Sequence, residues 1–208
     1  MPKPIFKPNP HDYTKTSFLN WRFFKQDSPK SFLTLGEGYI KSSIELIAHV
    51  IENNDDKRAD IFIFPILHNF NHGIELYLKG LVWTLNLLLK NNRGREGKHD
   101  IRQLYEILGA KIKNYKNGEN TKYFNLSFAP LKFYIDELYS QTNGSQGNDQ
   151  MDFSRYPIDK KESEHFYIVT SKNIEIDLII LLERFKEIYQ ILDQAGDFFY
   201  WIELKGDI

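Results

Sequence analysis

The apolar residues of this chain recur mostly at intervals of three and four, and those intervals predict helices. Phe32, Leu35, Tyr39, Ile40, Ile44, Ile47 and Ile51 follow one another at helical spacing. Ahead of them "DSPKSF" reads as a helix start, with Ser28 as the cap and Pro29 in the first turn, where a missing N–H costs nothing. "NNDD" closes that helix near residue 53. A second helix is predicted over residues 60–90, with Pro65 either marking its true first turn or kinking it. Its latter half, LYLKGLVWTLNLLLK, is apolar on nearly every side and should be the most buried element. After the basic loop NNRGREGKHD, Asp100 and Gln103 read as a capping box. They open a third helix with Ile101, Leu104, Tyr105 and Leu108 inward. Asn117-Gly118 marks a turn, and a fourth helix over 130–140 places Leu131, Tyr134, Ile135 and Leu138 inside. A polar connection, residues 141–171, then leads to a last helix over 174–194, carrying Ile174, Leu178, Leu181, Leu182, Phe185, Ile188, Tyr189 and Leu192. A short helix is expected at 18–24. HFYIVT and FFYWIEL are the strand-like runs and are read as a small paired ribbon.

These elements divide the chain into a proline-rich arm (1–27), an all-α domain (28–196) and an aromatic tail (197–208). A length of 208 residues suits one helical domain with a sizeable core, and 15% aromatic content makes that core aromatic-rich. With 27 basic against 28 acidic residues there is no global attraction to nucleic acid, so any RNA contact requires a local basic patch. The absence of cysteine excludes disulfides, thiolate zinc sites and cysteine nucleophiles. The segment MPKPIFKPNPHDY lacks the apolar centre of a signal peptide, and no apolar run reaches the roughly 18 residues of a membrane span. A cytoplasmic protein is expected.

Candidate chemistry concentrates in "HNFNHGIELYLKG". On a helix His68, His72, Glu75 and Lys79 stand at i, i+4, i+7 and i+11 and form one polar stripe. Three readings are open. His68 and His72 have the spacing to share a metal ion, with Glu75, His99 or Asp100 completing the shell. The glutamate is not where the HExxH motif requires it, and neither a metal nor a cofactor is expected. RNA cleavage needs a group to take the 2′-hydroxyl proton, a group to protonate the leaving oxygen and a cation for the phosphorane charge. His72, His99 and Arg155 supply those roles, with Arg93 and Arg95 as further basic residues. The third reading is a polar helix face, with Asp100 as a helix cap and Arg155 in the "SRYP" turn bridging to Glu75. No GxGxxG, P-loop or GxSxG sequence is present, so those nucleotide and hydrolase routes are not expected.

"HNFNHGIELYLKGLVWTL" together with "KHDIRQLYEIL" resembles the HEPN family of small helical bacterial and archaeal domains. The resemblance is carried by His72, Glu75, Leu78, Lys79, His99, Asp100 and Ile101, with "SRYP" further on, across roughly residues 30–195. It implies a HEPN-like bundle of four to five helices with a long loop before the last, and homodimerisation through the long helices. It also implies roles in toxin–antitoxin pairs, phage defence or RNA processing. Ribonucleases of that family carry Arg and His separated by four to six residues near the last helix. Here Arg155 and His165 are too far apart, and Arg93 and His99, at the right spacing, precede the third helix. The expectation is therefore a non-cleaving binding or regulatory module. Its binding residues are His68, His72, Glu75, Lys79, His99, Asp100 and Arg155, its ligand RNA or a nucleotide, and its partners a second copy and a protein encoded nearby. A metal-independent ribonuclease using His72, His99 and Arg155 is the alternative. In either case His72, Glu75 and Lys79 should share a pocket with His99 and Arg155, Glu75 accepting from Arg155 and Lys79 reaching Asp100.

Overall fold

Helical spacing in the sequence becomes helix in the computed structural model, which describes residues 5, 12–23, 27–91, 93–142, 152–159 and 161–206. The first long helix, α1 (Ser28–Glu52), begins at the residue expected to cap it, one residue earlier than expected. Asp27, not Ser28, occupies the cap position and accepts from the Lys30 N–H at 3.5 Å. The same carboxylate also takes the Tyr200 hydroxyl and, at 3.1 Å, the Lys205 ammonium, so it joins the start of α1 to the end of the chain. A serine hydroxyl could not serve all three.

Six residues lead to α2 (Ala59–Leu88), the longest element. It starts ahead of Pro65 and runs through it. Pro65 is exposed, and so is Ile61, whose carbonyl Pro65 leaves without an N–H, so that carbonyl lies on the solvent side of the helix. From Ile66 onward α2 is buried almost throughout, because α1 covers one side and α3 (Ile101–Asn114) and the last helix cover others. α1 crosses α2 at a glycine pair. A Cβ built on Gly36 would stand 3.0 Å from the Gly73 carbonyl oxygen, and one built on Gly73 would stand 2.5 Å from an Ile40 side-chain carbon.

The expected turn follows α3, with positive φ at Lys116, Asn117 and Gly118. A short helix that the periodicity does not announce, α4 (Thr121–Ser127), then precedes α5 (Ala129–Gln141). Of the polar connection, residues 143–151 lie outside the described set. A buried 3₁₀ turn at Asp152–Ser154 rests on α2, and α6 (Phe166–Val169) is one helical turn. α7 (Leu178–Gly196) starts four residues later than expected, because Asp177 caps it, accepting from the N–H groups of Ile179 at 2.9 Å and Ile180 at 3.0 Å. The core is aromatic, as composition suggested. Phe70 stacks on Phe185 at 3.3 Å, and Tyr134 meets both edge-on.

The ribbon is not formed. HFYIVT contains α6, and FFYWIEL continues α7 as a nine-residue π-helix, Asp197–Lys205, that buries Phe199 and Tyr200 against the bundle. A helix already docked on α2 offers those aromatics a core, which a solvated ribbon would not. The helix expected at 18–24 is also absent over 18–23. Leu19 and Trp21 are more than 70% exposed there, so nothing rewards the ordering of that segment. The only β-pairing among the described residues is an isolated bridge between Ile158 and Glu164. The architecture is all-α, and no described helix is long and apolar enough to cross a membrane.

Candidate functional site

The polar stripe of α2 faces inward. Glu75 is 4% exposed and Lys79 6%, one turn apart on the helix side that α3 and its leading loop cover. The Lys79 ammonium donates to Glu75 Oε1 at 2.6 Å. The same oxygen lies 3.0 Å from His99 Nδ1, and Oε2 lies 3.6 Å from His72 Nδ1. Burial pushes the Glu75 carboxyl up, but His72, Lys79 and His99 together outweigh it and hold the group at about 2. Glu75 is therefore an anion at any ordinary pH.

The two histidines reach this carboxylate from opposite situations. His72 is half-buried on α2, with Tyr39 edge-on to its ring at 4.6 Å. His99 comes from the loop, and its side chain is 68% exposed. A carboxylate beside Nδ1 favours the tautomer that carries its proton there, leaving Nε2 as an acceptor turned away from Glu75. His68 lies one turn before His72, its ring parallel to that of His72 at 6.0 Å, and its Nδ1 is buried without a hydrogen-bond partner. Burial first, then the charges of His72 and Arg155, lower the His68 pKa, so the ring is neutral at pH 7.

A second polar cluster holds the loop that delivers His99. The Lys111 ammonium donates to Glu96 Oε1 at 2.6 Å and to Asn86 Oδ1 at 2.5 Å. The Asn86 amide donates to Glu96 at 2.8 Å and to the Gly94 carbonyl at 2.9 Å. Burial pushes the Glu96 carboxyl up, yet Lys111, Asn86 and Arg93 bring it below its ordinary value. The sequence reading missed this cluster, although a signal was there. Lys111 continues the inner phase of Leu104 and Leu108, and Asn86 interrupts the most apolar run of α2. Polar groups at buried phases need partners.

Two expected pairings do not form. Asp100 serves as the α3 cap, accepting from the Gln103 N–H at 3.0 Å, and its carboxylate also accepts the Tyr139 hydroxyl at 2.7 Å. Lys79 meets Glu75, one turn away on its own helix, instead of Asp100. Arg155 lies 3.9 Å from Asp152, three residues back in its own turn, and its guanidinium sits 5.1 Å from the Tyr156 ring centre. That nearer carboxylate takes the place expected of Glu75. The loop tied to Glu75 is thus 91–99 and not the long polar connection. Arg93 stands 3.6 Å from Glu96, and Arg95 is exposed. Among the described residues no three His, Asp or Glu side chains are grouped to hold a metal ion.

Comparison with known proteins adds no relative: no family model, no curated protein and no solved structure matches this chain.

Proposed function

We propose that the protein is a HEPN-like binding module in which a buried carboxylate aims two imidazoles at the phosphate of an RNA or nucleotide ligand. The observation that carries this reading is the 3.0 Å contact from His99 to Glu75, between residues 24 positions apart. A loop histidine that is 68% exposed is fixed at one nitrogen by an anion, and its other nitrogen is left toward solvent. Binding phosphate requires that nitrogen to donate a hydrogen bond to the phosphate oxygen. Lys79 is occupied by Glu75 and is not counted among the phosphate contacts. A role in a defence or toxin–antitoxin type system, beside a protein encoded nearby, belongs to the same proposal and rests on the sequence resemblance alone.

The test is RNA gel retardation by the full chain across a salt series, with Glu75→Gln and His99→Ala. Affinity should fall as salt rises and drop at least tenfold in each variant. Retardation by His99→Ala equal to that of the unaltered protein would overturn the reading. One observation favours a second reading, a metal-independent ribonuclease: His72 and His99 both border one carboxylate, an arrangement suited to an acid–base pair, with Arg155 at the phosphate. RNA cleavage in EDTA that disappears in both His72→Ala and His99→Ala would move the assignment there.

A homodimer is also proposed. α2 is covered within one chain, so its apolar surface does not call for a second copy. The support is instead the exposed run Ile174, Ile176, Ile179 and Ile180. A strict monomer in sedimentation at micromolar concentration would remove it.

A further inference from the structure

A cavity of about 250 Å³ opens between the end of α3 with α4 on one side and the end of α7 with its π-helical extension on the other. Its walls are Phe124 and Phe128 from α4 and its end, and Phe198 and Phe199 from the π-helix, with Asn120 and Gln194 as amide groups of the lining. Three features together give it a purpose. Its volume exceeds the roughly 150 Å³ that admits benzene and falls below the roughly 300 Å³ where drug-sized sites begin, so it suits a molecule of one or two fused rings. Its lining contains no Asp, Glu, Lys, Arg or His, so a charged ligand entering it would lose hydration without compensation. One wall includes Phe198 and Phe199 from the start of the π-helix, a form found mostly as single turns and often at functional sites.

The walls are also held in place. Glu203 of the π-helix accepts the Tyr115 hydroxyl at 2.5 Å and the Lys116 ammonium at 2.8 Å, which ties the turn after α3 to the end of the chain. Small side chains, Ser127 and Ala195, stand in the lining where larger ones would fill the space.

We propose that this cavity is a binding site for a small uncharged aromatic molecule of the size class of indole, held by apolar contact with the exposed edges of the four phenylalanines and by one hydrogen bond to a lining amide. The site is independent of the Glu75 cluster.

The test uses the full chain with indole as the probe, followed by saturation-transfer NMR and calorimetry. Indole should bind with Kd below about 1 mM. Indole-3-carboxylate should bind at least tenfold more weakly, and Ala195→Leu, which grows into the cavity, should lower indole affinity at least tenfold while leaving the helical circular dichroism unchanged. If Ala195→Leu does not fold, Ser127→Leu replaces it in the same comparison. No indole binding at millimolar concentration, equal binding of the carboxylate, or indole affinity unchanged in the folded filling variant would each overturn the assignment.

Discussion

Two polar clusters grip the same loop, and they are built on opposite plans. Around Asn86, Glu96 and Lys111 the strong donors and acceptors meet one another: the ammonium has two oxygens, the amide has two acceptors and the carboxylate has two donors. The hydrogen bonds of that cluster close on one another, and the exposed Arg93, 3.6 Å from Glu96, adds a charge at its edge without a hydrogen bond. Around Glu75 the carboxylate is just as well served, but one of its donors belongs to a ring that is mostly in solvent. That cluster is open at His99. A closed network spends its groups on holding the chain, whereas an open one keeps a nitrogen for something that arrives from outside. On the proposed function the difference separates scaffold from binding site on one helix, two to three turns apart.

The largest effect should come from removing the shared charge. Glu75→Gln leaves the Lys79 ammonium buried without its anion and should cost roughly 3 kcal/mol of stability in chemical denaturation. Loss of less than about 1 kcal/mol would mean that Glu75 does not hold the cluster together. The same group sets an acid limit. Its pKa lies at about 2 against an ordinary 4.5, so the stability it contributes is complete above about pH 4.5 and lost as pH falls through 2. Glu75→Gln should flatten the acid unfolding profile in that window.

Next in size, Lys111→Met breaks the closed cluster. It leaves the fully buried Asn86 oxygen without its donor and should cost about 2 kcal/mol. Because Glu96 then loses its hold on the loop, RNA affinity should fall as well, through misplacement of His99. Unchanged affinity alongside the lost stability would sharpen the contrast, by showing that Glu75 alone places the ring.

The smallest change in stability should follow His99→Ala. The side chain is mostly solvated, and its pair with Glu75 should contribute under about 0.5 kcal/mol. A thermal melt close to that of the unaltered chain, combined with weakened RNA binding, is the signature of a site residue. A loss of stability as large as that of Lys111→Met would make both clusters scaffold and erase the distinction.

Much of the scaffold was legible in the order of residues, for identifiable reasons. The long helices declare themselves through repeated apolar spacing, and Asp100 caps α3 because a carboxylate before Ile101 has a free N–H within reach at Gln103. α4 was invisible because Phe124 is the one buried residue among its seven, too little for a period. FFYWIEL misled because its residues favour strands in isolation, and only the preceding helix, already packed, converts them to helix. Within the site, spacing along α2 placed His72, Glu75 and Lys79 on one face correctly. The pairing of Glu75 with His99 depends on how the loop between α2 and α3 folds back, and that loop is held by Asn86 and Lys111, which lie on the helices at either end of it. Arg155 was assigned to Glu75 because sequence gives no ranking of carboxylates by distance, and Asp152 is nearer.

The meeting of α1 and α2 at Gly36 and Gly73 also determines which sequences this backbone will accept. At those two positions volume is the whole criterion. Even one methyl group would press on the opposing helix, so neither propensity nor polarity has any say. Two residues beyond Gly36, an added Cβ at Gly38 would meet nothing within 4 Å. There the glycine is a choice the fold does not impose, and any good helix former fits the space. Identical letters in "GEG" thus carry unequal information: the first specifies an architecture, the second only a residue.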